Sequence, residues 1–205
     1  MHHSIQHLIE TRTSINHFQP NRPLQEDEMI TLVDLATKAP TAYNMQNWRF
    51  IAAQSEEAKT RLKAAAFGQQ KIVDASIAFI ICGKLAEHQQ LHKTLQASVN
   101  AHIIEQHVAD AWVLQAASAH ESNEQLQRDE AMRSASLAAM TLMLAAQDMG
   151  LASCAIGGFD AIEVARQFSL APNELPALVV VVGYPAAHNW QQKIRKPLKE
   201  ILTVI

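Results

Sequence analysis

Two groups of polar donors near opposite ends of the chain have the chemistry of an anion clamp. Arg12, Thr13, Ser14 and Asn16 stand near the N-terminus, and Lys193, Arg195 and Lys196 stand near the C-terminus in Lys193-Ile194-Arg195-Lys196-Pro197. In an extended stretch Lys193 and Arg195 project to the same side, because side chains alternate with period two. A phosphate monoester is held by two or three such cationic or hydroxyl donors, bidentate arginine above all. Taken alone, the C-terminal group reads equally as a solvated basic tail.

Two further segments offer a different chemistry. Ala39-Pro40-Thr41-Ala42-Tyr43-Asn44-Met45-Gln46-Asn47-Trp48-Arg49-Phe50 ends a helix at a proline and runs through amides into a strand. Ala155-Ile156-Gly157-Gly158-Phe159-Asp160 carries the chain's only adjacent glycines, just before a new helix. Amide side chains can meet the polar edge of a flat ring, and a glycine pair lets backbone approach its face. With a phosphate clamp added, these are the requirements of FMN. Singly, the amides also read as loop polarity and the glycines as a turn.

The elements that must position these residues form one α/β domain over residues 1–205, with no repeat or linker to divide it. Ser4 can cap a short helix carrying Ile5, Leu8 and Ile9. Glu26, Asp27 and Glu28 make an acidic first turn for a helix that Pro40 stops. Arg49–Ala53 reads as a strand and Glu56–Ala66 as a helix. Ile77–Cys82 and Ala177–Val182 read as buried central strands, the latter ending at Gly183-Tyr184-Pro185. Residues 90–120 are helical in composition but irregular, and hold His92, His102, His107 and His120. Arg128–Met149 is the clearest helix, apolar around most of its circumference, so it must be buried on most sides or form a dimer seam. Gly150 suits its C′ position, and another helix follows Asp160 to about Phe168.

Composition excludes several classes. The chain has 205 residues, is 48% apolar and 18% charged, and carries a net charge of -3. No basic excess favours nucleic acid or anionic lipid, and no apolar run spans a bilayer. Met1-His2-His3-Ser4 lacks the pattern of a signal peptide, and Cys82 and Cys154 read as buried thiols of a reducing cytoplasm. His88 and His92 have helical metal-ligand spacing, but no HExxH and no third ligand accompany them, so no metal is expected. No GxGxxG or Walker loop is present. Trp48 reads as core, and Trp112 and Tyr43 read as packing residues, with shielding of a flavin face as the alternative.

In order along the chain, these motifs resemble the nitroreductase family of FMN-dependent NAD(P)H oxidoreductases. Arg12-Thr13-Ser14-Ile15-Asn16-His17-Phe18 resembles the family's Arg-x-Ser-x-(Arg/Lys)-x-Phe opening. The Ala39–Trp48 segment resembles Ala-Pro-Ser-x-x-Asn-x-Gln-Pro-Trp, and Gly150 through Phe159 resembles Gly-Leu-x-x-x-x-Ile-Gly-Gly-Phe. Gly183-Tyr184-Pro185 and Lys193-x-Arg195-x-Pro197-Leu198 complete the order, while residues 86–127 carry no family motif.

The resemblance implies a mixed central sheet wrapped by helices, in an entwined homodimer with FMN sites at the interface. It implies that Arg12, Lys193 and Arg195 hold the FMN phosphate, with Thr13, Ser14 and Asn16 beside them. Asn44 and Gln46 would sit at the flavin, Gln69 at the ring edge, and Ile156, Gly157 and Gly158 would bring backbone to the ring. Pro40, Thr41 and Ala42 would line the path from phosphate to ring, from the partner subunit. Three positions depart from the pattern: Asn16 where Arg or Lys is usual, Asn47 where Pro is usual, and Gly157 where some members carry an acid.

The implied activity is ping-pong hydride transfer from NADH or NADPH through FMN to a nitroaromatic, quinone or similar acceptor, with no catalytic side chain. Rival readings are a flavin-dependent dehalogenase or dehydrogenase with a lid in residues 90–120, a non-catalytic flavin-binding protein, and a helical interaction domain without cofactor.

Overall fold

Alternation of two apolar faces along the central strands sets the architecture. In this computed structural model, which describes residues 4–205, a four-stranded sheet runs in the order β1-β2-β4-β3. The strands are β1 (Trp48–Ala53), β2 (Ile77–Lys84), β3 (Ala152–Ile156) and β4 (Glu174–Gly183). Ile80, Cys82, Val179 and Val181 lie in one core cluster, and Ile77, Phe79, Ile81, Val180 and Val182 lie in another. Period-two alternation puts these sets on opposite faces, and both are fully buried, as β-branched and apolar runs predict.

Helices cover each face. One carries α2 (Glu26–Ala36) and α7 (Glu124–Asp148); the other carries α3 (Glu56–Ala65), α4 (Lys71–Asp74) and α8 (Ala161–Gln167). The capping chemistry is local. Ser4 caps α1 (Ile5–Thr11) by accepting from His7 N, Ser55 caps α3, and Asn123 caps α7 by accepting from Leu126 N. Gln25 and Glu28 close a capping box on α2. Asp160 Oδ1 accepts from Ile162 N and Glu163 N to start α8.

The sheet is antiparallel in each of its three ladders. The mixed sheet expected from the resemblance is met only by an isolated parallel bridge, Ser14 to Ser153. That contact is one residue long, between the end of α1 at Thr11 and a bend at Asn16. Strand β3 was not foreseen. Ala152-Ser153-Cys154-Ala155 is a run of small residues without β-branched signal, directly after a helix, and tertiary pairing with β4 overrides the weak propensity. A register shift at Ile81/Cys82 accommodates Pro176, which has no N–H for a regular ladder.

The irregular residues 90–120 resolve into α5 (Leu91–Asn100) and α6 (Gln106–His120), packed around Leu91, Leu95, Ala109 and Ala116. Helix α7 lies across the sheet on Ala131, Ala135, Ala138, Ala139, Leu142 and Ala146. Its other side leaves Leu137 42% and Met140 36% exposed. No helix among the described residues is long and apolar enough to cross a membrane.

Candidate functional site

The N-terminal donors are set where α1 ends. Arg12 closes the helix by donating its N–H to the Leu8 carbonyl at 3.0 Å. The chain then runs beside β3, with Ile15 N donating to the Ser153 carbonyl at 3.3 Å. Ile15 and Phe18 are buried anchors. Alternation therefore turns Ser14 and Asn16 away from the core. Arg12 Nη1 lies 3.5 Å from Ser14 Oγ.

The C-terminal donors are folded onto this segment, so they are not a free basic tail. Asn189 Oδ1 accepts from the N–H groups of Asn16 and His17 at 2.8 and 2.9 Å, and its Nδ2 donates to the His17 carbonyl. Gln192 Nε2 donates to the Arg12 carbonyl at 3.2 Å. A small cavity of about 50 Å³ results, with Arg12, Thr13 and Ser14 on one side and Gln191, Gln192, Lys193 and Arg195 on the other. Lys193 Nζ stands 4.6 Å over the Trp190 ring, and Arg195 Nη1 donates to the Lys193 carbonyl at 2.6 Å.

A cation that the sequence reading missed stands next to Asn16. Lys71, the first residue of α4, donates from Nζ to Asn16 Oδ1 at 3.1 Å. It supplies positive charge where Asn16 departs from the usual Arg or Lys. The available signal was a lysine two residues beyond Gln69, but only the fold reveals that it reaches across 55 positions to Asn16.

Gln69 continues the line. Its Nε2 donates to the Gly158 carbonyl at 2.8 Å, clasping the loop after β3 to the start of α4. A Cβ on Gly157 would meet nothing within 4 Å, and one on Gly158 would meet only Gln69 Nε2 at 3.7 Å. At Gly83, by contrast, it would strike the Ala131 carbonyl oxygen. The chain's own packing therefore does not demand the Gly157-Gly158 pair. The open space above it is what a ligand face needs. Ile156 is buried in the core, so it can offer only backbone.

The Pro40–Asn47 loop is held in an unusual conformation. Tyr43, Asn44 and Gln46 have φ of 53°, 55° and 50°, and none is a glycine. Such residues cost about 1 kcal/mol each and persist where surroundings enforce them, commonly at functional sites. Thr41 does part of this, its Oγ1 accepting from Gln46 N at 3.0 Å. Met45 is buried, whereas Asn44 and Gln46 face solvent. Asn47 is buried as well, and its Oδ1 has no hydrogen-bond partner among the described residues.

Within one chain the two groups stand at diagonal corners of the sheet. Trp48, where the amide loop enters β1, pairs with Gly83 at one end of one edge strand. Ser14 bridges Ser153, beside Ala152, which pairs with Gly183 at the far end of the other edge strand. Two strands intervene, a separation of roughly 14 Å across the sheet alone at about 4.8 Å per strand. The fold thus brings together Arg12, Thr13, Ser14, Asn16, Gln69, Gly157, Gly158, Lys193 and Arg195, but not Pro40, Thr41, Ala42, Asn44 or Gln46.

The remaining candidates have structural surroundings. Cys82 and Cys154 are free and buried. Burial pushes the Cys82 thiol up to about 12, helped by Glu174 and opposed by Arg49. His88 stacks on His120, 5.5 Å between centroids. Tyr43 and Trp112 pack against the α5–α6 core, and Trp48 against Phe50.

The fold and this corner define an α/β protein with a set of cationic, hydroxyl and amide donors along the flank of an edge strand. The chain belongs to the nitroreductase family, whose profile matches residues 9–184. It is 34% identical to YodC of Bacillus subtilis (strain 168), provisionally named an NAD(P)H nitroreductase, with 96% of each chain covered. It is 27% identical to the oxygen-insensitive NAD(P)H nitroreductase of Salmonella typhimurium, over 95% of this chain and 96% of that one. A provisionally named nitroreductase from Exiguobacterium sibiricum 255-15, solved in complex with FMN, superposes with a TM-score of 0.91. It is 26% identical, and the match covers 99% of this chain and 98% of that one.

Proposed function

We propose that this chain is an FMN-dependent NAD(P)H oxidoreductase that works as a cytoplasmic homodimer and passes reducing equivalents to a nitroaromatic, quinone or similar small acceptor. The observation that carries the reading is the continuous line of donors from Arg12 and Ser14, through Asn16 and Lys71, to Gln69 and the Gly157-Gly158 pair. Its chemistry matches FMN from phosphate to ring edge, and the full-length similarity to an FMN-bound structure supports the same assignment.

Bound FMN supplies the two-electron redox chemistry. The chain's residues bind and orient. Arg12, Lys193 and Arg195 would neutralise the phosphate, with the Ser14 and Thr13 hydroxyls as further donors. Lys71 would place a positive charge beside the polar ring edge, which favours electron density arriving there. Gln69 would fix the ring in plane. The bare glycine pair would leave room for the ring. No side chain need act as nucleophile or general base.

The diagonal separation of the two groups supports the dimer. A second copy can bring its Pro40, Thr41, Ala42, Asn44 and Gln46 to the donor line that the same chain's loop cannot reach. Apolar surface to support such an interface is present. Leu137 and Met140 are exposed on α7, and a groove of about 370 Å³ lies nearby between Ile5, Leu8, Leu35 and Leu144. The segment from Leu198 to Ile205 exposes Leu198, Ile201, Leu202, Val204 and Ile205, which gain by burial against a partner.

The test is a visible spectrum of the purified protein, before and after NADH or NADPH is added without oxygen. Flavin bands that bleach are expected. Bands that persist would make the chain a flavin-binding protein without this reductase activity. No bands after FMN is supplied would remove FMN from the assignment.

A further inference from the structure

Residues 86–127 leave and rejoin the fold at one point. Ala86 N donates to Gln127 Oε1 at 3.1 Å, and Gln127 Nε2 donates to the His120 carbonyl at 2.8 Å. One side chain thus ties the start of the excursion to its end. Non-glycine residues in the left-handed region mark both boundaries, Ala86 at φ 59° and Ser122 at φ 58°. Helices α5 and α6 pack mainly on each other around Leu91, Leu95, Ala109 and Ala116. The side chains from outside the excursion that join this cluster are Met45 and Tyr43 of the amide loop. The excursion is a helical flap with its own core, resting on that loop.

Two imidazoles stack at the foot of the flap. His88 comes from the turn Glu87–Gln90 and His120 from the end of α6, with planes 24° apart and each residue about 4% exposed. His120 Nδ1 lies 2.9 Å from the Ala116 carbonyl, so that nitrogen carries the proton and Nε2 is left without a partner. Neither nitrogen of His88 has a hydrogen-bond partner among the described residues. A buried, unpaired imidazole is tolerated only when neutral.

The charged groups around the pair do not neutralise an added proton in place. Glu87, on the same turn as His88, is held by Lys84 at 2.6 Å. On α5, His92 and Lys93 are exposed, and on the first turns of α7 so are Glu124 and Arg128. At the end of α6, Glu121 Oε2 lies 3.9 Å from His88 Nε2, but its side chain is 69% exposed.

We propose that the His88–His120 stack is an acid-sensitive latch that holds the α5–α6 flap against the Tyr43–Met45 loop. The latch is built from the flap and its foot alone and needs no bound flavin. A proton on His88 is best accommodated by turning the ring outward to Glu121, which breaks the stack. The Gln127 clasp and the seat of Met45 and Tyr43 then loosen together. Burial lowers the His88 pKa, His120 lowers it further, and Glu121 offsets only part. The folded pKa therefore lies below the ordinary value of 6.5, and the open state binds more protons. Closure is fully favoured above that value and is lost as pH falls through the folded one.

Hydrogen exchange on the protein as isolated tests this. Protection factors for amides 91–120, corrected for intrinsic rates, are compared with those of β4 at about pH 7.5 and 5.5. The ratio is expected to fall toward acid, because the open state binds more protons than the closed one. His88→Phe and His120→Phe should each make it independent of pH. A ratio that stays constant in the wild-type chain overturns the latch, whether or not the variants fold. So does an NMR titration in which His88 gains its proton at or above the ordinary histidine value.

Discussion

Lys71 Nζ donates to Asn16 Oδ1 at 3.1 Å, joining the first turn of α4 to the segment that runs beside β3. The pair restores a positive charge at a position whose own residue has none. It also makes a definite demand on ligand binding, because a lysine held by one neutral amide keeps two donors free.

Lys71→Met should weaken FMN binding about 10- to 150-fold, the equivalent of roughly 1.5–3 kcal/mol for a hydrogen bond to a charged group. Titration of the apoprotein by flavin fluorescence reads this directly. Unchanged affinity would assign Lys71 to the fold alone.

Arg195→Ala should weaken FMN by a similar factor of about 10 to 150. Arg195 is exposed and bonds only to a neighbouring carbonyl, so the melting temperature without ligand should hardly move. A variant that loses stability but keeps its FMN affinity would refute the phosphate role.

Two glycine substitutions should behave in opposite ways. Gly158→Ala makes only an ordinary contact with Gln69 Nε2 and should change stability by less than about 0.5 kcal/mol while impairing flavin binding or turnover. Gly83→Ala drives a methyl into the Ala131 backbone and should cost about 3 kcal/mol or more. Urea midpoints with and without FMN separate the two. A destabilised Gly158→Ala chain would mean that the open space is needed by the fold.

Leu137→Glu combined with Met140→Glu places charge on the exposed side of α7 without touching its buried side. The expected outcome is a shift from dimer to monomer in light scattering, with loss of bound FMN. A double variant that stays dimeric would move the seam elsewhere.

The Cys82 thiol predicts an alkaline weakness. Its folded pKa, up to about 12, lies above that of the unfolded chain. The stability it contributes is therefore complete below the ordinary thiol value of 9.0 and is lost as pH rises toward 12. Unfolding midpoints measured on both sides of that value should fall more steeply for the wild-type chain than for Cys82→Ala. Equal slopes would contradict the shift.

Much of this protein was legible one residue at a time. Ser4 and Asp160 cap the helices expected of them, Pro40 follows the end of α2, and Ile77–Cys82 and Ala177–Val182 are central strands. The cationic and hydroxyl donors were legible as chemistry as well, because such side chains declare what they can bind wherever they sit. Strand β3 was not, since Ala, Ser and Cys carry no strong strand propensity and the partner β4 supplies the preference. Nor were α5 and α6 separable, because the break between them depends on His102 at φ 55°, a conformation that histidine does not announce.

The sequence by itself determined which local elements form and which side chains can bind an anion or meet a ring edge. Both depend on residue type and short spacing. Only the tertiary structure decided that Lys71 stands at Asn16, that His88 stacks on His120, and that the amide loop lies at the corner opposite Arg12. Those are contacts between distant positions, fixed by strand order and helix packing. No periodicity encodes them, because each depends on how whole faces bury against one another.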